Sequence, residues 1–292
     1  MERFSGFEHI VRDNEPLAAY TWFRLGGPAQ YFAEPTSIDE LTALVRRCRD
    51  AEVPVRLLGG GSNVLVRDEG TPGLVLHLSA PAFCDISVRG QTVKAGGGAK
   101  LGHVVSMSVR EGLTGLEQLV GIPGTVGGAL HGNAGNHGGD IGQWTDSATV
   151  LTRSGELLTR RREDLHFAHR QSSLDELVIL NAKFELEAED PREVTKRMQK
   201  LWIVKKANQP MGNQPTGCIF KDPGGVSAAS LIEQAGLKGT RIGEAEVSDQ
   251  HANFIVITGR GASQDVLRLI DLMRSRVSER LGVDLELEIE IW

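Results

Sequence analysis

Residues 121–139, GIPGTVGGALHGNAGNHGG, constrain this chain most: eight of the nineteen are glycine and charge is nearly absent. Glycine reaches positive φ without steric cost and lets a backbone come close to a ligand. The same freedom makes ordering the stretch entropically costly, so something must hold it in place. A flexible linker is one reading, but linkers seldom carry residues such as Ile122, Val126, Ala129 and Leu130 among their glycines. The reading we favour is a backbone cradle around a flat or phosphorylated ligand, punctuated by Pro123 and Asn133.

A second glycine turn lies upstream. Residues 55–58 read as a short buried strand running straight into Gly59-Gly60-Gly61-Ser62-Asn63, and residues 64–66 resume as strand. A Rossmann fingerprint needs a helix directly after its glycines, and none is signalled here. Successive amides in such a turn can form an anion nest fit for a pyrophosphate; a structural hairpin turn is the alternative.

Around these turns the pattern is mixed. Residues 1–20 read as a short helix and an arm, and 30–34 as a strand. Ser37 and Glu40 form a capping box for a helix with Leu41, Leu44, Val45 and Cys48 inward. Residues 73–78 and 177–186 read as strands, 86–88 with 92–95 and 148–152 with 156–159 as hairpins, and 99–111 as a helix. Residues 191–208 form a helix predicted to bury Val194, Met198, Leu201 and Trp202. Its last turn carries Lys205 and Lys206, which suit the negative helix end or face an anionic ligand. Helices follow over 227–234 and 263–281, and a closing strand over 283–292 places Glu286, Glu288 and Glu290 on one face. Strands and glycine turns give way to strong helices near residue 190, which predicts a domain boundary there.

Composition excludes several classes. At 292 residues there is room for two domains. Lys plus Arg number 32 against 38 Asp plus Glu, and a net charge of −6 gives no electrostatic case for nucleic acid or an anionic membrane as partner. Cys48, Cys84 and Cys218 have no CxxC spacing, which argues against a disulfide framework and a zinc site. The N-terminus lacks the apolar core of a signal peptide and no apolar run reaches membrane-spanning length, so a soluble, cytoplasmic protein is expected.

Taken in register, six motifs resemble the UDP-N-acetylenolpyruvoylglucosamine reductase family: TWFRLGGPA at 21–29, GGGSNVLVRDEG at 59–70, GLEQLVGIPGTVGGALHGNAG at 115–135, GCIFKDP at 217–223, LIEQAGLKGTRIGEAEVSDQHANFIV at 231–256 and GVDLELEIEI at 282–291. The GLTGLE run at 112–117 and the lack of a long extra loop resemble the shorter, type II form. The resemblance implies an α+β fold: an FAD-binding domain of the vanillyl-alcohol-oxidase (PCMH) type over 18–188, in two subdomains split near 80, then an α+β substrate domain over 195–292 whose last strand returns to the active site. It implies non-covalent FAD held by Gly59, Gly60, Gly61, Ser62 and Asn63 and by Gly121, Ile122, Pro123, Gly124, Thr125, Gly128, Ala129, Asn133 and Gly135. In relatives of this fold a histidine can carry flavin covalently; His131 and His137 flank the cradle, but this family holds FAD non-covalently. It further implies NADPH as reductant and a UDP-sugar substrate. Hydride would pass to C3 of the enolpyruvyl ether and a proton to C2, giving UDP-N-acetylmuramate for peptidoglycan synthesis.

The family's chemistry rests on an arginine, a glutamate and a serine. By resemblance these map to Arg170, in His169-Arg170-Gln171-Ser172 where the family has tyrosine at the first position, to Glu288, and to Cys218, which stands where the family has serine. Hydride addition leaves negative charge on the C2–carboxylate unit, which a fixed guanidinium can stabilise. A positioned acid must then protonate C2. A free thiol, with a pKa of about 8.5, is mostly protonated at neutral pH and is a better acid than a serine hydroxyl. We read the cysteine as conservative chemistry. Lys206 and Lys221 are the expected substrate contacts, although a cation at Lys221 could also favour thiolate. Asp222 replaces a family asparagine, which puts hydrogen-bond donation there in doubt, and Ser248 and His251–Asn253 read as structural. The rival reading is another FAD-dependent oxidase or dehydrogenase of a sugar or alcohol on the same fold, which has no need of Cys218 or Glu288 in these contexts.

Overall fold

Helix Ile38–Asp50 shows how local chemistry sets the architecture. Ser37 caps it, its Oγ accepting the Glu40 N–H at 3.2 Å. The Glu40 carboxylate turns to the N–H and hydroxyl of Thr36, at 2.6 and 3.0 Å, so only the serine half of the predicted capping box forms. Leu41, Leu44, Val45 and Cys48 fall on one face at helical spacing and are all buried, together with Leu74, Leu76 and Phe83. The computed structural model describes residues 2–136, 138–209 and 217–292. They form two compact units: Met1–Asn14, Gln30–Gly60 and Pro72–Val204 make one, and Glu15–Ala29, Gly61–Thr71 and Lys205–Trp292 the other.

The first unit is built on two sheets. One has the strand order Val11–Pro16, Pro28–Ala33, Thr71–His77, Val55–Leu58, and its last two strands run parallel with Leu58 opposite His77. The other is antiparallel, in the order Leu157–Arg161, Thr145–Leu151, Val178–Glu185, Thr92–Gly96, Ile86–Arg89. Both predicted hairpins are edges of this sheet. Helices Leu101–Arg110 and Val126–His131 cover it, burying Val104, Val105, Val126 and Leu130 with Val150, Ile179 and Phe184.

The second unit has a three-stranded sheet, Arg241–Ile242, Ala245–Val247 and Ile255–Ile257, with helices Ala228–Gln234 and Ser263–Leu281. Phe23, Leu25 and Leu65, from segments far upstream, share its core with Ile219, Phe220, Ile232 and Ile270. This unit is therefore not one stretch of chain, whereas the division at 18–188 and 195–292 drawn from the sequence is contiguous.

Three elements differ from expectation. The N-terminal arm contains a strand, Val11–Pro16, whose side chains are mostly exposed, so no period-2 pattern announced it. In helix Pro191–Asn208 only Val194 is buried; Met198 packs partly against the core, while Trp202 is 41% exposed, and Ile203 and Val204 more so. The closing segment is a strand only at Glu290–Ile291, because the extended chain changes partners. Leu287 bridges Phe220 in antiparallel fashion, then Glu290 and Ile291 pair in parallel with Val64 and Leu65.

Candidate active site

In the first unit the two glycine turns abut. A Cβ on Gly60 would lie 2.6 Å from the Gly124 Cα, and one on Gly59 2.9 Å from the Thr125 Oγ1, so no side chain can stand between them. The later turn is tied down by backbone bonds from Leu101 N–H to Gly124 C=O (3.1 Å), Val126 N–H to Ala99 C=O (2.9 Å) and Gly127 N–H to Gly97 C=O (2.8 Å). Ile122 N–H closes on Leu119 C=O, and the Thr125 hydroxyl oxygen accepts from Gly128 N–H. These bonds supply the constraint that an ordered glycine stretch requires.

Glu117, just upstream of Gly121, is buried. Its carboxylate accepts hydrogen bonds from the Thr114 hydroxyl (2.8 Å), Gly115 N–H (2.6 Å) and Arg197 Nε (2.8 Å). Arg197 is in turn gripped by Glu189, at 3.1 and 2.8 Å. The Gln118 Oε1 is buried without a partner among the described residues, beside the Gly138–Gly139 backbone. At the far end Asn133, buried and at φ 41°, donates its amide to Ala168 C=O (2.8 Å) and accepts from Gly142 N–H (3.1 Å). Gly135 pairs with Asp140, and His131 Nδ1 lies 3.0 Å from Leu174 C=O; His137 falls outside the described residues. Arg170 stands in the turn joining Phe167–Ala168 to Gln171–Ser172, at φ 57°.

In the second unit the segment from Gly61 to Asn63 spends its carbonyls on the protein. Gly61 C=O accepts from Trp22 N–H (3.0 Å), Ser62 C=O from Gly217 N–H (3.3 Å) and Asn63 C=O from Glu290 N–H (2.9 Å). Among the described residues the amides of Gly61, Ser62 and Asn63 make no backbone hydrogen bond. Backbone donors need partners, and consecutive amides of this kind suit an anion. The hairpin alternative is excluded: Val55–Leu58 pairs with Thr71–His77, and Val64–Leu65 with Glu290–Ile291.

The same unit pairs the backbone of Glu288 with that of Ile219, the residue after Cys218. Glu288 N–H donates to Ile219 C=O at 2.8 Å, and the Asn63 side-chain amide donates to Glu288 C=O at 3.0 Å. Buried Asn253 fixes the strand after Cys218. Its side chain accepts from Phe220 N–H (2.9 Å) and donates to Phe220 C=O (2.8 Å), and its backbone C=O accepts from Ile219 N–H (3.0 Å). Burial holds the other two thiols in the neutral form, Cys48 pushed up to about 12 and Cys84 raised.

The remaining candidates are peripheral in this unit. Lys221 Nζ lies 3.6 Å from exposed Glu286, and Asp222 accepts from Ala228 N–H at 2.8 Å, an acceptor role asparagine would also fill. Lys206 is exposed in the last helical turn, where Gln250 caps the carbonyls of Lys206 and Ala207. Gln214, Pro215 and Thr216 of the predicted thiol loop lie outside the described residues. The structural role expected of Asn253 is its clamp on Phe220, whereas Glu117 and Arg197 were missed; only the position of Glu117 next to the glycines could have flagged that pair. No cluster of metal-ligating side chains occurs among the described residues, and none of their helices is long and apolar enough to cross a membrane.

A family model described as UDP-N-acetylenolpyruvoylglucosamine reductase, C-terminal domain, matches residues 209–292, and one described as FAD binding domain matches 29–160. A protein of Rhodopirellula baltica named UDP-N-acetylenolpyruvoylglucosamine reductase is 41% identical over 97% of this chain and 93% of its own length. The chain belongs to the UDP-N-acetylenolpyruvoylglucosamine reductase family. A reductase of the same name from Listeria innocua is 40% identical over 98% of this chain and 96% of its own. The crystal structure of the reductase from Thermus caldophilus superposes with a TM-score of 0.84 at 37% identity, covering 97% of this chain and 99% of that one. The fold is thus the PCMH-type FAD-binding fold followed by the reductase C-terminal domain. The residues present fit FAD: the amides of Gly61, Ser62 and Asn63 make no backbone hydrogen bond among the described residues, and Gln118 keeps a buried acceptor unpartnered among them beside the glycine-rich stretch.

Proposed function

We propose that this reductase converts UDP-N-acetylglucosamine enolpyruvate to UDP-N-acetylmuramate at the expense of NADPH. FAD, when bound, would supply the hydride chemistry, with NADPH as the source and C3 of the enolpyruvyl group as the acceptor. Residues 18–188 hold it, through the amides of residues 59–63 and the glycine-rich backbone from Gly121 to Gly135. The Arg170 guanidinium stabilises the negative charge that hydride addition leaves on the C2–carboxylate unit. The Cys218 thiol gives its proton to C2, and Glu288 orients the enolpyruvyl carboxylate region. Lys206 and Lys221, in the substrate domain of 195–292, meet the anionic UDP moiety.

The observation that carries this reading is the bond from Glu288 N–H to Ile219 C=O, which sets the candidate acid and the candidate carboxylate on paired backbones. Anaerobic stopped flow tests it. NADPH-reduced flavin should be reoxidised by the enolpyruvyl substrate in wild type, substantially so in Cys218→Ser, and little in Cys218→Ala. Thiol alkylation should inactivate unless substrate is bound. Reoxidation by oxygen alone would identify an oxidase, and an alanine variant with full turnover would remove Cys218 as the acid.

A further inference from the structure

The side chain of Asn133 is spent within the protein. Both ends of its amide are used within the chain, on Ala168 C=O at 2.8 Å and Gly142 N–H at 3.1 Å, and the residue is 3% exposed. Ala168 is two residues before Arg170. A second tether lies on the other side of that turn: the Ser172 hydroxyl donates to His131 C=O at 3.0 Å and accepts from Leu174 N–H at 3.3 Å. The two cradle residues His131 and Asn133 therefore grip both flanks of the turn that carries Arg170. That turn needs gripping. Its two strands contribute only two residues each, Phe167–Ala168 and Gln171–Ser172, and Arg170 sits at φ 57°, a conformation a non-glycine residue adopts at a cost. Asn133 is itself left-handed at φ 41°, which asparagine tolerates better than most residues.

We propose that Asn133 is a positioning residue that transmits order from the flavin cradle to Arg170, with Ser172 as the second arm of the same link. This rests on the reading of Arg170 as the group that stabilises the developing charge. The coupling needs little flavin affinity, because a turn already closed most of the time can close further without changing the binding equilibrium much.

Hydrogen exchange on the full chain tests the link independently of turnover. Adding FAD to wild type should slow exchange of the amides in residues 167–174 by about ten-fold, the signature of a local opening made rarer. Asn133→Asp keeps the shape and the acceptor but removes the donor to Ala168. At FAD concentrations that saturate the variant, set by fluorescence titration, it should lose the FAD-dependent slowing. In the flavin-loaded variant, reoxidation by the enolpyruvyl substrate should fall roughly ten-fold more than reduction by NADPH, as expected when a catalytic group is misplaced. Ser172→Ala, which removes the other arm by way of the His131 carbonyl, should show the same split in weaker form. The proposal fails if FAD still slows exchange at 167–174 in both variants. It also fails if Asn133→Asp loses flavin while Ser172→Ala behaves as wild type, since Asn133 would then act on the cofactor alone. A wild-type flavin that the enolpyruvyl substrate cannot reoxidise would overturn the reductase reading, and the exchange result would still decide the link.

Discussion

Glu117 is a carboxylate placed where carboxylates are rarely tolerated, at 1% exposure immediately before the glycine cradle. Replacing it with glutamine keeps the shape and removes the charge, so the cost can be worked from its bonds. Oε1 receives the Thr114 hydroxyl and Arg197 Nε, and Oε2 receives Gly115 N–H. A glutamine that offers its oxygen to Thr114 and Arg197 points its NH2 at the Gly115 N–H, donor against donor. The flipped amide meets the same conflict at Arg197. One buried donor is orphaned either way, at about 1–3 kcal/mol.

The lost charge pair adds less. The Arg197 side chain is 40% exposed, so its pairing is screened and contributes about 1 kcal/mol at most. Its guanidinium is held charged first by Glu189 and only then by Glu117. The total is about 1–4 kcal/mol, or a fall in Tm of roughly 2–16 °C for a unit of this size. Thermal unfolding followed by circular dichroism should show that fall in the flavin-free protein and part of it recovered with FAD. Arg197→Gln should cost less than Glu117→Gln, because water can replace the guanidinium. The reasoning is refuted if Glu117→Gln melts with wild type, or if the order of the two variants is reversed.

Asn253→Ala should destabilise the chain by roughly 2–5 kcal/mol in urea unfolding, since it orphans both the N–H and the C=O of buried Phe220. Ser37→Ala removes the cap of helix Ile38–Asp50 and should cost about 0.5–2 kcal/mol by the same assay. Burial, reinforced by Lys238 and opposed by Asp222, holds the His251 imidazole below its ordinary value of 6.5, so the unfolded chain takes up the proton first as pH falls. Its stabilising contribution is therefore complete above pH 6.5, shrinks as pH drops below that value and levels off under the depressed folded value. His251→Gln should flatten the slope of unfolding free energy against pH in that window.

The parts of this protein that could be read from the sequence are those in which the backbone itself is the instrument. Gly60 and Gly124 are glycine because the two turns touch, and that requirement is visible as composition. Cys48 on its helix face was legible because apolar period and burial coincide. The rest depends on single side chains answering the needs of distant backbone. Phe23, Leu25 and Leu65 enter the core of the C-terminal unit from short glycine-flanked segments that have no periodicity to announce them. The exposed second half of helix Pro191–Asn208 follows the same logic, since its apolar residues show a helical stripe but sequence cannot say how far the packing partner extends.

The two buried asparagines make the point for the site. Asn133 satisfies Ala168 and Gly142, and Asn253 satisfies Phe220 on both its polar groups. Each bonds irregular backbone two residues from a candidate catalytic group, Ala168 near Arg170 in one unit and Phe220 near Cys218 in the other. Short, strained or partner-switching segments cannot meet their own hydrogen-bond requirement through a regular ladder, and an amide side chain, with one donor and one acceptor side, substitutes for the missing strand. The sequence could single out both positions, Asn133 as a residue of the cradle and Asn253 as structural, but not the backbone each one serves, because that bond count exists only after folding.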